Sequence, residues 1–176
     1  MKRLIIILFS TGLLLSGCNN KVELKKEEAL QLILTQLKYP KVIDYDIYCS
    51  DPVHAKKLLH AGFVTNGIVT VQKTQKFKDI GSPLIGFTDK ARPYLLPTPE
   101  KDKTLDIKKV KIADEVITDV KIIETVDQTT KVEYTTGYEN ITPFAALLKT
   151  DLQKSRKHTV HFVSSDKGWV LQQPAR

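Results

Sequence analysis

VITDVKIIETVDQTTKVEYT, residues 116–135, reads as two β-strands joined by a turn. Residues 116–125 are rich in Val and Ile, residue types that suit a pleated, half-buried surface. Asp127-Gln128 supplies the turn, and Lys131-Val132-Glu133-Tyr134-Thr135 then alternates polar and apolar without a break. Strict alternation puts one face of a strand in a core and the other in water, the pattern of an antiparallel sheet. Working outward, residues 105–112 give a further strand, and residues 159–163 and 168–171 form a closing hairpin across Asp166-Lys167-Gly168. Thr142-Pro143 pairs a capping side chain with Pro at the first helical position and starts a short helix over 144–149. Residues 105–176 are thus expected as an antiparallel α+β subdomain.

Upstream, Pro97, Pro99 and the charged run Glu100-Lys101-Asp102-Lys103 mark a linker over 97–104. Residues 25–38 have Leu30, Ile33, Leu34 and Leu37 at amphipathic helical spacing, with Lys25, Lys26, Glu27, Glu28 and Gln31 on the other side. Tyr39-Pro40 ends that helix, because proline disfavours helical geometry in the residue before it. Asp51-Pro52 opens a second helix and Gly62 closes it. Strands follow at 68–72 and 84–87, with a lysine-rich loop at 73–78 between them, and Thr88 caps a short helical turn before Pro93. The order helix, Gly62-Phe63-Val64, strand, loop, strand, Phe87-Thr88-Asp89-Lys90 resembles a winged-helix module over about 40 residues. The expected fold is therefore α+β: N-terminal helices with a small winged-helix-like hairpin over 25–96, then an antiparallel sheet with one short helix.

The first seventeen residues read as an export signal. Met1-Lys2-Arg3 is a positive start, and residues 4–15 are apolar except for Ser10, Thr11 and Gly12. Ser16-Gly17 places small residues beside the cleavage point. The apolar run is shorter than the about 20 residues needed to span a bilayer as a helix. Leu15-Ser16-Gly17-Cys18 resembles the lipobox of bacterial lipoprotein precursors. That resemblance implies cleavage between Gly17 and Cys18 and diacylglycerol on the Cys18 thiol, with residues 18–24 as lipidated terminus and tether. Two or more acyl chains anchor stably where one binds marginally. Asn19 is not the Asp that retains such proteins in the inner membrane of Gram-negative hosts. In such a host the resemblance implies the outer membrane, facing the periplasm.

The chain has 176 residues and a formal charge of +7. Removing the signal takes Lys2 and Arg3 with it and leaves about +5. The basic residues are almost all lysine, the arginines being Arg3, Arg92, Arg156 and Arg176. Nucleic-acid readers favour clustered arginine forks, and an exported protein meets no genome, so no nucleic-acid partner is expected. The surplus charge reads as solubility, with weak attraction to anionic headgroups as the alternative.

No residue pattern names a reaction. Cys49 stands just before a helix start, where the dipole lowers a thiol's pKa, and His54 follows in the first turn. No orienting carboxylate or oxyanion hole accompanies them, so no catalytic residue is assigned. With Cys18 acylated, Cys49 has no intrachain partner, and burial is the default for a free cysteine. His54 and His60 are six apart on a helix, and His158 and His161 three apart on a strand, so neither pair makes a metal site. Asp114, Glu115, Asp119 and Glu124 read as solvent faces of strands. Ser155 lacks a nucleophile elbow, and no cofactor motif is present. Phe144 and Phe162 read as core, and Tyr134, Tyr138 and Trp169 as core or the edge of a binding groove.

The function expected from these residues is a non-enzymatic one. The membrane is a partner through Cys18, and the domain is an accessory or binding factor for another envelope protein, contacted through a sheet face. Alternatives are an immunity or phage-exclusion lipoprotein and a carrier of a small ligand or lipid; a Cys49/His54 enzyme ranks last.

Overall fold

The computed structural model describes residues 23–75, 77 and 82–172. The export signal, Cys18 and the tether up to residue 22 lie outside the described residues, as do parts of the 73–78 loop. The class is α+β, built on a five-stranded antiparallel sheet in the order β1-β4-β5-β6-β7. Its strands are β1 (Lys41–Tyr48), β4 (Ile107–Val126), β5 (Thr129–Glu139), β6 (Arg156–Ser165) and β7 (Gly168–Leu171). The helices are α1 (Lys26–Gln36), α2 (Pro52–His60) and the one-turn α3 (Glu100–Lys103). Strands β2 (Val69–Val71) and β3 (Ile85–Phe87) form a separate hairpin.

The two strands expected at 105–112 and 116–125 are one strand, β4, twenty residues long. Its sidedness is set by bulges. Opposed residues of an antiparallel pair share a face. Along β5 the inward residues Thr130, Val132, Tyr134, Thr136 and Tyr138 recur every second position, but their β4 partners are Thr125, Ile122, Val120, Ile117 and Glu115. An extra residue enters β4 between Ile117 and Asp119 and again between Ile122 and Glu124, and a third irregularity opposite Ile43/Asp44 accommodates Ile112. Each bulge exchanges odd and even positions between the faces. A simple period-2 reading of β4 therefore breaks where the strand does not.

One sheet face carries the cores. Helix α1 crosses β4 to β7, burying Ala29 and Ile33 against Val120, Val132, Phe162 and Trp169. Glu27 and Glu28 in its first turn suit the positive end of its dipole. Lys26 bonds Asp119 at 3.1 Å on β4, and at the other end the Leu171 amide donates to the Gln36 side chain at 3.0 Å. The second core lies over β1 and the first half of β4, where α2, the β2–β3 hairpin and two 3-10 turns, Asp89–Tyr94 and Pro143–Leu147, enclose Ile47, Leu58, Phe63, Val110, Ile112 and Phe144.

Of the caps read from sequence, Asp51 and Thr142 bond their elements, while the Thr88 side chain makes no cap bond and donates instead to the Gly67 and Ile68 carbonyls at 2.7 and 3.0 Å. Asp51 accepts from the Val53 amide at 2.7 Å, and Thr142 accepts from Phe144 at 3.2 Å, although the element it caps is a 3-10 turn. Gly62 sits at φ +77° and Gly168 at φ +100°, where a side chain is disfavoured.

The winged-helix resemblance does not extend to the structure. β1 intervenes between α1 and α2 and belongs to the main sheet, and α1 packs on β4 and β7 instead of joining a helical module with α2. The hairpin is held from below, the Cys49 carbonyl accepting from Leu84 and Ile85 at 2.8 and 3.0 Å. Hydrogen bonding also runs across the expected linker 97–104. β1 pairs with β4 from Lys41↔Glu115 to Tyr48↔Ile107, and the Leu96 amide donates to Lys109.

Candidate functional site

Between the two cores, on the same sheet face, lies a seam of polar groups. Glu115, only 9% exposed, takes a hydrogen bond on Oε1 from the Thr136 hydroxyl at 3.0 Å, and Thr136 Oγ1 lies 3.0 Å from His158 Nε2. A hydroxyl has one proton; if Thr136 gives it to Glu115, His158 Nε2 must be the donor to Thr136. The chain runs His158 to Thr136 to Glu115 across three strands. No described residue bonds Glu115 Oε2. Tyr134 stacks on His158 with centroids 4.8 Å apart, and Tyr39 meets Tyr134 edge-on at 6.1 Å. Burial raises the pKa of both phenols, Tyr134 the more strongly. Lys41 Nζ sits 4.2 Å above the Tyr39 ring and the Arg156 guanidinium 5.9 Å from Tyr138, two cation–π contacts at the rim.

Glu115 was expected on a solvent face, and the bulges turn it inward; its neighbour Asp114 faces the other way. There Lys111 and Asn140 hold the Asp114 carboxyl below its ordinary value by hydrogen bonds at 2.6 and 2.8 Å. Nothing in the local pattern around Glu115 signals burial, because its partners Thr136 and His158 arrive from β5 and β6. The groove residues named from sequence fall on both sides of the seam. Tyr134 and Trp169 belong to the α1 core, and Tyr138 packs against the other core. Trp169 Nε1 is buried with no hydrogen-bond partner among the described residues, a cost of about 1–3 kcal/mol.

Cys49 and His54 are each engaged elsewhere. The Cys49 thiol is 3% exposed and points to the Ile47 carbonyl at 3.7 Å. Burial pushes its pKa up to about 11, the reverse of an activated nucleophile. His54 Nδ1 accepts from the Tyr48 amide at 3.1 Å, and its ring lies between Tyr45 and Tyr48, with centroids 5.8 and 5.2 Å away. It pins α2 to β1. His158 faces the seam, while His161 pairs with Lys131 on the opposite sheet face. No group of three His, Cys, Asp or Glu among the described residues is placed to hold a metal ion.

No family model, curated protein or solved structure matches this chain. What the molecule offers a partner must therefore be read from its own surface. The opposite sheet face is covered by no described helix. Near the β4–β5 turn a row of opposed residues crosses four strands, Val126↔Thr129, Thr129↔Val163 and Val163↔Val170. Val126 is 60% and Val170 49% exposed, and Ile123 stands exposed beside them. Behind the row the face turns ionic, with Lys131 3.7 Å from Glu124 and Lys157 3.4 Å from Glu133.

Proposed function

We propose that this chain is a lipoprotein of the cell envelope, acylated on Cys18, whose domain binds another envelope protein through its uncovered sheet face. The observation that carries the anchoring is the run Leu15-Ser16-Gly17-Cys18 directly behind a short apolar signal. Leu24, buried in the α1 core, follows Cys18 by six residues. At full extension that tether reaches about 20 Å, so the start of α1, beside Asp119 of β4, is the part of the domain held near the bilayer. Under the outer-membrane sorting that Asn19 implies, the domain faces the periplasm. Among the described residues no helix is long and apolar enough to cross a membrane, and the proposed attachment needs none.

The row of exposed Val126 and Val170 with half-buried Val163 between them is the contact favoured for the partner. An apolar strip rimmed by ion pairs is the composition of a recognition patch. A photo-crosslinking residue at position 163 or 170, in the acylated protein in its own host, is expected to yield one discrete protein adduct. The same residue at position 56, on exposed α2 surface, is expected to yield none. Val170→Glu should reduce the adduct by about tenfold or more at an unchanged melting temperature, since exposed substitutions shift stability by only about 0.5 kcal/mol. Absence of any adduct along the face, with the protein shown to be membrane-bound, ends the accessory reading. An adduct that forms only when a toxin or phage component is supplied selects the immunity reading.

A further inference from the structure

A cleft of about 290 Å³ opens where the β2–β3 hairpin meets the start of β4. It is separate from the seam and from the exposed valine row. Ile85, Phe87, Leu95 and Ile107 form its walls, and Cys49 lies at its floor. Its polar groups gather at the mouth: Asp106, Lys103 and Lys108. Lys103 is neutralised by its pair with Glu100, whereas Asp106 accepts from the Ser50 hydroxyl at 2.8 Å and keeps its negative charge. Lys108 is exposed and has no carboxylate within ion-pair distance among the described residues. An apolar slot with one unpaired cation at its opening can take a small amphiphile whose single acidic head meets Lys108 and stays clear of Asp106.

We propose that this cleft binds a medium-chain carboxylic acid, its hydrocarbon chain against Ile85, Phe87, Leu95 and Ile107 and its carboxylate at Lys108. The volume lies at the lower edge of the roughly 300–1,000 Å³ typical of small-molecule pockets. It suits one short chain and excludes the paired long acyl chains of a membrane lipid.

The test is a calorimetric titration of decanoate into the chain from residue 18 onward carrying Cys18→Ser. Both cores lie within residues 24–171, so this form retains every described element, and Cys49 is its only thiol. Decanoate is expected to saturate a single site and to slow alkylation of Cys49 by a maleimide. Decanol, which has the same chain without the charge, should bind at least about tenfold more weakly. Lys108→Glu should weaken decanoate by about tenfold or more, and Leu95→Trp, which fills the cleft, should abolish saturation. Lys108 is a surface residue, so its variant reports even if Leu95→Trp fails to fold. Absence of saturation, equal binding of decanol, or unaltered affinity in Lys108→Glu overturns the proposal. None of these readouts depends on acylation or on a protein partner, so failure here leaves the envelope reading standing, and the reverse holds too.

Discussion

Replacing Phe144 with alanine is expected to lower the folding stability by about 3–5 kcal/mol. Phe144 is fully buried. Its ring stacks on Phe63 with centroids 4.9 Å apart and meets Phe87 and Tyr94 at 6.4 and 6.0 Å. Those neighbours come from the turn after α2, from β3 and from a 3-10 turn, so one side chain joins three segments that share no strand pairing with one another. Removing the ring deletes its transfer free energy and leaves a cavity between short elements. A urea melt is the measurement. A loss below about 1 kcal/mol would mean that the hairpin and α2 are held to the sheet without this ring. Phe162→Ala, the corresponding change under α1, separates a general core effect from one on the hairpin.

Thr136→Val is expected to cost about 1–3 kcal/mol although it scarcely changes shape. The substitution removes the hydroxyl that joins Glu115 to His158 and leaves a buried carboxylate oxygen and a ring nitrogen facing a methyl group. Exchanging the acid too, in the double variant with Glu115→Gln, should cost much less than the sum of the two single changes, because the groups form one network. Additive losses in a double-mutant cycle would show that Glu115 draws its support from solvent and that the seam is not a unit.

Several features of this fold were legible in the chain and others could not be. The α1 stripe, the Asp51-Pro52 and Thr142-Pro143 caps, the Asp127-Gln128 turn and the closing hairpin each depend on residues close together in sequence. β1 was not read: Lys41-Val42-Ile43-Asp44-Tyr45-Asp46-Ile47-Tyr48 alternates, but its acidic residues look like loop until Lys109 is placed 3.1 Å from Asp44 and 2.7 Å from Asp46. The winged-helix resemblance rests on the order of α2, β2 and β3 alone, and that order says nothing of the main sheet on which they pack. The bulges of β4 were hidden for a related reason. An inserted residue is defined by the partner strand, and a single sequence contains no register. The candidate sites divide in the same way. Cys49 and His54 lie close in the chain and suggest a pair, yet the structure gives each a separate structural bond. The seam of Glu115, Thr136 and His158 draws one residue from each of three strands and leaves no local trace.

Mass spectrometry of the N-terminal peptide, taken from protein extracted from the membranes of its own host, tests the central proposal most directly. The expected peptide begins at Cys18 and carries diacylglycerol in thioether linkage, with the protein absent from the soluble fraction. A peptide running through Gly17 into a free Cys18 thiol, or a mature terminus at any other residue, contradicts it.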